Sequence, residues 1–566
     1  MFLIKKGELL SVELEHIPFD YSLLDVDGYN IAFSKDNCLI HRDNGLFAII
    51  VGTAIYDSKV IDNSNFFDVV NEIEFSLKES SRKLSGRFSI IYIKEGVVKV
   101  YTSLFGSVSI YYIQNGKYIS TVETLLSNIF NLDASIDTLG VMLRYYARYR
   151  NALYKGVSRF KYASLSTVGN NVNAVSYLNS VFSCNQYDTL SNKELVASLN
   201  KRLCYLLSLY SCFELRVGLT GGRDSRLILA MSESLGIKKL STYTVGKIDD
   251  IESKYASKSA KYYGYHHEIF SPDKLNSHIS NNYFALINNI NFPSIYKWQL
   301  IEYLRVKPKK HLNTATPETL LCHLDYFEGE NKPYLNFIKN RASKVNKIIP
   351  VNQYCNELAE EGARLIWDDL SSEINSNVLI KLMFEQVSYQ SEWVYNILKI
   401  GDYSGGTVCI FEDPIVLSIL SNIDEDFYLN DCLYKYFVNT FYPSMNNIIS
   451  TRDCDIGRVM NLPKTSREFI SLLPDALKDE PLEYLLSENI DFIRKVIIDN
   501  RNELSDLFGC EFINDCIVRT QNGFIHNRIK RFIMRRLNRK VLSNYELIMP
   551  YCAASILNFN KRRTNE

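Results

Sequence analysis

The segment Phe213 to Thr220, FELRVGLT, constrains this chain more than any other. A short apolar run ends on the adjacent pair Gly221-Gly222 and passes without a spacer into a helical pattern from about Asp224 to Leu235. A buried strand that stops on two glycines and restarts as a helix opens an α/β unit. The pattern then repeats. Gly236 closes the first helix, LSTYTVG (Leu240 to Gly246) reads as a second strand, Ile251 to Tyr263 as a second helix, and HHEIF as a third strand. Strands alternating with helices predict a parallel sheet joined by crossovers.

The texture before this unit is different. Runs such as Leu46 to Val51, Phe88 to Ile93, Val97 to Tyr101 and Ser109 to Ile113 read as short strands punctuated by Gly and Asn turns, with helical patterns only over Phe66 to Ser80 and about Asp137 to Tyr146. The polar stretch Phe182 to Asn192 reads as a linker, and helical spacing begins at Lys193 and runs to Ser211. Since 566 residues exceed what one core supports, the expected organisation is an α+β domain over 1–181 followed by a domain over 193–566. The second pairs an α/β parallel sheet with a mainly helical C-terminal part. A hydrophobic fraction of 46% with 23% charged residues is that of a folded globular chain.

Lys plus Arg (64) balance Asp plus Glu (64), so no global field draws the chain to nucleic acid or an anionic membrane. The twelve cysteines form no CxxC pair and no cluster of zinc-ligand spacing. MFLIKKGELL lacks the features of a secretory leader, and no run reaches the roughly eighteen apolar residues of a membrane span. The expected compartment is the cytoplasm, with reduced thiols.

The residues Leu219-Thr220-Gly221-Gly222-Arg223-Asp224-Ser225 stand where an α/β sheet places its ligand, at the carboxyl end of a strand and the start of a helix. Two glycines let the backbone approach an anion, and the helix N-terminus offers N–H donors with the positive end of its dipole. Thr220 and Ser225 add hydroxyls that donate to phosphate oxygens. Asp224, an anion beside an anion site, makes sense if Mg²⁺ bridges it to phosphate. A plain Gly-Gly turn with a Ser/Asp helix cap is the ordinary alternative; the full pattern in its strand-loop-helix context favours pyrophosphate.

The loop Thr220-Gly221-Gly222-Arg223-Asp224-Ser225 resembles that of the ATP pyrophosphatases, and no Walker GxxxxGK[ST] occurs. With LTGGRDSRLI followed by STYTVG and YYGYHHEIF, and a domain of about 180 residues ahead of them, the chain resembles the asparagine synthetase family. The resemblance implies an adenine-nucleotide α-hydrolase-like second domain, ATP and Mg²⁺ as cofactors, and Val245 and Gly246 as nucleotide contacts with Leu219 beside them. DYSGGTVCIFEDPIV, with Phe411-Glu412-Asp413-Pro414, is similar to the family's PFLDxxVV region. Lys435 and Pro443 fit a later family helix, in which a lysine position falls on Asp431.

LSGRFSIIYI and TSLFGSVSIYY resemble class II glutamine amidotransferases, which implies an Ntn-hydrolase-like β-sandwich. That family needs a nucleophilic cysteine after the initiator Met, where this chain has Phe2, and an oxyanion-hole asparagine, where it has Ser85. No glutamine hydrolysis is expected. The synthetase family's second loop, L-S-G-E-G-x-D-E, has its best counterpart in Leu312 to Thr319. On that alignment the catalytic glutamate becomes Ala315, the glycines become Thr314 and Thr316, and the second metal ligand becomes Glu318, leaving Glu302, Asp325 or Glu328 as substitute bases. Arg458 and Lys464 are weak counterparts of the family's adenylate lysine.

The resemblance therefore implies an ATP-dependent, AMP-forming amide ligase that adenylates a small-molecule, sugar-acid or peptide carboxylate and passes it to ammonia or an amine. Asp224 and Glu318 are its expected catalytic metal ligands. A non-catalytic descendant that binds nucleotide or a partner is the alternative from another class. A tRNA-modifying pyrophosphatase is disfavoured by the neutral charge. Two other features stand apart from the loop. His266-His267 point to opposite faces of a strand, which argues against a shared metal. RIKRFIMRRLNRK (Arg528 to Lys540) carries seven basic residues and reads as a solvated basic helix, or as a contact for an anionic membrane or a phosphorylated carrier.

Overall fold

The computed structural model describes residues 1–272 apart from 18–19, 35–37, 44, 146, 150 and 183–186, then 297–314, 320–345 apart from 323, 353–390, 400–448, 489–521, 550 and 553–554.

The first half is built on two antiparallel sheets. One has six strands, in the spatial order Ser158–Arg159, Tyr111–Ile113, Tyr118–Ser120, Phe2–Lys6, Tyr29–Phe33 and Ser22–Val26. The other centres on two eleven-residue strands, Leu46–Tyr56 and Leu84–Lys94, paired from Leu46 opposite Lys94 to Tyr56 opposite Leu84. Successive side chains enter different layers, as the strand period of two requires. Phe47, Ile49, Val51, Ile91 and Ile93 meet Phe2, Ile4, Ile31 and Phe33 of the other sheet. Ala48, Ile50, Phe88 and Ile90 belong to the layer that holds Phe66, Val69, Val70 and Ile73 of the helix Phe66–Phe75. With both faces covered, these strands are apolar almost throughout. The helix expected over Phe66 to Ser80 is two helices, Phe66–Phe75 and Leu77–Lys83, broken at Ser76, whose φ of −149° and ψ of 88° are not helical.

The second half holds the parallel sheet. Strands β1 (Leu215–Gly218), β2 (Leu240–Val245), β3 (His266–Phe270), β4 (Lys310–Leu312) and β5 (Thr407–Val408) lie in the order β3-β2-β1-β4-β5, every neighbouring pair parallel. The chain steps outward from β1 to β3, then returns to the other side of β1. That reversal opens a crevice at the carboxyl ends of β1 and β4, where open α/β sheets bind ligands. Helix α1 (Asn192–Tyr210) starts at a capping box in which Ser191 accepts from the Glu194 N–H and the Glu194 side chain reaches back. Helices α2 (Arg223–Ser234) and α3 (Ile251–Tyr262) follow β1 and β2. Farther on come α4 (Pro414–Ser421) and α5 (Cys432–Phe441).

One apolar cluster runs through both halves, so the change of texture near residue 190 does not mark a gap in the core. Polar contacts cross the same boundary. Asp413, the N-cap of α4, accepts from Ser85 Oγ at 2.5 Å and from Arg202 Nη2 of α1 at 2.6 Å. Its neighbour Glu412 accepts from the Phe105 N–H at 2.9 Å and from Ser107 Oγ at 2.5 Å. The Glu412-Asp413 pair that resembles a family motif is thus a clasp between the halves, and Ser85 is bound into it. Phe2 is fully buried between the sheets. Among the described residues no helix is long and apolar enough to cross a membrane.

Candidate functional site

The loop between β1 and α2 lies at the carboxyl end of β1, beside the crevice. Its entry is fixed by the sheet: the Leu219 N–H donates to the Tyr243 carbonyl at 2.8 Å, and Thr244 Oγ1 donates to the Leu219 carbonyl at 2.5 Å. Leu219 itself is buried in the core, so its backbone rather than its side chain faces the loop. Val245 and Gly246 end the neighbouring strand, and the Gly246 N–H bonds the Phe270 carbonyl at 2.9 Å. The nine sequence-predicted positions from Leu219 to Ser225 and at Val245 and Gly246 therefore gather at two adjacent strand ends.

Inside the loop the hydroxyls hold the backbone. Thr220 Oγ1 accepts from the Gly222 N–H at 3.0 Å and lies 3.4 Å from Ser225 Oγ, which accepts from the Thr220 N–H at 3.3 Å. Arg226 fastens the helix start, with Nε donating to the Gly222 carbonyl at 2.9 Å and Nη1 to the Ile448 carbonyl. These bonds fix the start of α2 at the end of β1, and a helix start attracts anions.

One carboxylate already sits in that field. The Gly221 N–H donates to Glu252 Oε2 at 2.6 Å, and Glu252 lies in the first turn of α3. A loop amide that takes a carboxylate oxygen at this distance is a charge-assisted donor of the kind that takes phosphate oxygens. Sequence reasoning missed Glu252. The available signal was positional: β2 neighbours β1, so the first turn of the helix after β2 lies beside the first turn of the helix after β1.

Arg223 and Asp224 diverge from one another. Arg223 Nη1 donates to Asp431 Oδ2 at 2.9 Å, and its guanidinium lies 5.0 Å from the centre of the Tyr434 ring. Burial by itself would raise the Asp431 carboxyl; the bond from Arg223 outweighs it and holds that carboxyl below the usual range. Asp431, at a position where the family resemblance expected a lysine, thus serves as counter-ion to the loop arginine. Asp224 stands near the buried Tyr434 hydroxyl, whose pKa is pushed well up first by burial and then by the Asp224 charge. Lys435, on the same helix, donates to the Asn430 carbonyl at 2.8 Å.

The carboxyl end of β4 supplies the other wall. Asn313 is fully buried, its N–H bonded to the Val408 carbonyl at 2.9 Å and its Nδ2 to Cys409 Sγ at 3.4 Å. Glu318, with 315–317 and Thr319, lies outside the described residues, as do Arg458, Lys464 and the basic segment 528–540. Glu302, Asp325 and Glu328 are exposed. Among the described residues no group of three or more His, Cys, Asp or Glu side chains is arranged to hold a metal ion. His266 is exposed, while His267 is half-buried with Nδ1 2.8 Å from Thr242 Oγ1, and burial takes its pKa down to about 4.

No family model matches the chain, and no curated protein matches it.

Proposed function

We propose that the protein is an ATP-dependent, AMP-forming amide ligase with an adenine-nucleotide α-hydrolase-like domain, similar to asparagine synthetases. The observation that carries this reading is the Gly221 N–H held on a carboxylate oxygen at the start of α2, beside the reversal in strand order. In this proposal the pyrophosphate of ATP takes the place of Glu252 on that amide, and the adenine end runs toward Val245 and Gly246. Asp224, in the first turn of α2, would hold Mg²⁺ together with phosphate oxygens, and the ion would neutralise phosphate charge. The chain's own contribution is to fix the loop by the Thr220 and Ser225 hydroxyls and to turn Arg223 aside onto Asp431. The first half, with Phe2 in its core, is proposed to be an Ntn-hydrolase-like sandwich retained for its packing, so ammonia or an amine comes from solution.

The test is carboxylate-dependent exchange of labelled pyrophosphate into ATP across a panel of amino acids, sugar acids and acidic peptides. Exchange with one acid, lost in Asp224→Ala, supports the ligase. Absence of both exchange and ATP binding by calorimetry removes it.

Glu252 on the loop amide also favours a second reading, in which the site binds nucleotide without turnover. ATP binding without exchange for any acid in the panel is its expected signature.

A further inference from the structure

A second cavity lies at the other end of the parallel sheet, near the amino ends of β4 and β5, where the two halves of the chain meet. Its lining includes Val51, Arg87, Ser109 and Thr121 from the first half and Lys310 and Asp402 from the second. The cavity volume is about 30 Å³, room for roughly two waters or the head of a small organic acid.

The charges on its wall do not balance. Arg87 is fully buried; it gives Nη1 to Asp402 and Nη2 to the Ser107 carbonyl at 3.1 Å. Asp402 is therefore matched by Arg87. The Lys310 backbone N–H bonds the Glu214 carbonyl at 3.0 Å, but its Nζ has no hydrogen bond and no ion pair among the described residues and lies 5.6 Å from the centre of the Phe213 ring. Burial lowers the Lys310 pKa, and the Asp402 charge works against that shift. Space beside this ammonium is kept by Gly406, whose φ is +98° and where a Cβ would come within 2.6 Å of Nζ. Lys310 is half-buried, and an ammonium partly withdrawn from water without a counter-ion is unfavourable. One bound negative charge would satisfy it.

The remaining wall says what else the anion carries. Thr121 Oγ1 accepts from the Phe2 N–H at 3.2 Å, which leaves its hydroxyl proton for a ligand. Ser109 makes no hydrogen bond among the described residues and adds a second hydroxyl. Val51 and Val108 line the same space with apolar surface. We infer that this cavity is a binding site for a small monocarboxylate, with its carboxylate on Lys310 and the Ser109 and Thr121 hydroxyls and its short apolar end against Val51 and Val108. The site is separate from the β1 to α2 loop and does not depend on the proposed ligase activity. Because its walls come from both halves, occupancy also ties them together.

The test is calorimetric titration of the full chain with sodium propionate, with sodium chloride and sodium sulfate as controls at matched ionic strength. Saturable propionate binding is expected, weakened at least tenfold in Lys310→Met and severalfold in Ser109→Ala. It is expected to be unchanged in Lys309→Met, whose Nζ bonds Ser241 outside the cavity. Ser109→Ala keeps the test valid if Lys310→Met does not fold. Equal binding of chloride, tighter binding of sulfate, no saturable binding of propionate, or binding indifferent to Ser109→Ala and Lys310→Met would each overturn the inference.

Discussion

Arg223 donates to Asp431 at 2.9 Å, so the one basic side chain of the glycine loop is spent on an acid more than two hundred residues away rather than on the crevice. Asp431 adopts a left-handed conformation, φ 60°, at the start of α5, and the pair fixes that helix against the loop. The pair is partly solvent-exposed, which limits its worth to about 0.5–1 kcal/mol. A double-mutant cycle with Arg223→Ala and Asp431→Ala, read by urea unfolding, is expected to return a coupling of that size that shrinks in high salt. Arg223→Lys should recover little of it, because the planar guanidinium reaches Asp431 from a position 5.0 Å over the Tyr434 ring that the compact ammonium of lysine does not reproduce.

Glu252 competes with any phosphate for the Gly221 amide. Replacing it by Gln keeps the size of the side chain and removes its charge. Pyrophosphate affinity in the absence of Mg²⁺, measured by calorimetry, should rise by roughly tenfold in Glu252→Gln, the order expected for removing one repelling charge at a charge-assisted hydrogen bond. An affinity that falls would show Glu252 to be part of the ligand's own binding set.

Glu412 makes the clasp between the two halves sensitive to pH. Burial is the dominant influence and raises its carboxyl to about 7, against the lowering effect of Ser103, Ser107, the Phe105 N–H and Arg87. Between about 4.5 and 7 the folded state keeps a proton that the unfolded state has released. The contribution is therefore fully present below the unfolded pKa and is lost as pH rises through 7. Its full size is on the order of 3 kcal/mol. Urea unfolding at pH 5.5 and 8.5 should show Glu412→Gln gaining on the parent protein at the higher pH. A difference between the two proteins that does not change with pH would refute this account.

Gly86 sits where the sandwich touches α1. Its φ is +107°, and a Cβ there would stand 2.6 Å from the Thr53 carbonyl oxygen and 2.7 Å from the Tyr210 hydroxyl. Its N–H also bonds the Glu412 carbonyl at 2.7 Å. Gly86→Ala is expected to cost about 3 kcal/mol or more through backbone strain and overpacking. A shift of the thermal midpoint under 1 °C would show that the contact relaxes freely.

The local signals were strong where the chain interacts with its own neighbours in sequence. Strands Leu240–Val245 and His266–Phe270 and helices Arg223–Ser234 and Ile251–Tyr262 fall within a residue or two of their expected limits, because glycines and helical periodicity act over single turns. The break at Ser76 was not legible, since the residues on both sides favour helix and only the packing of Phe66–Phe75 on the sheet decides where it ends. The loop was found as a motif, but the partner of each of its atoms was not. Glu252 and Asp431 are ordinary acids in the sequence and take their places only because β2 lies beside β1 and α5 packs near the start of α2.

What the sequence alone determined was the order of elements and the placement of Thr220 to Ser225 at a strand end, both consequences of short-range sterics and apolar period. The tertiary structure decided the strand order β3-β2-β1-β4-β5, the clasp of Glu412 and Asp413 on Ser85, Phe105, Ser107 and Arg202, and the unmatched charge of Lys310 between the halves. Those depend on which surfaces meet across hundreds of residues, and burial and charge pairing take effect only once they have met.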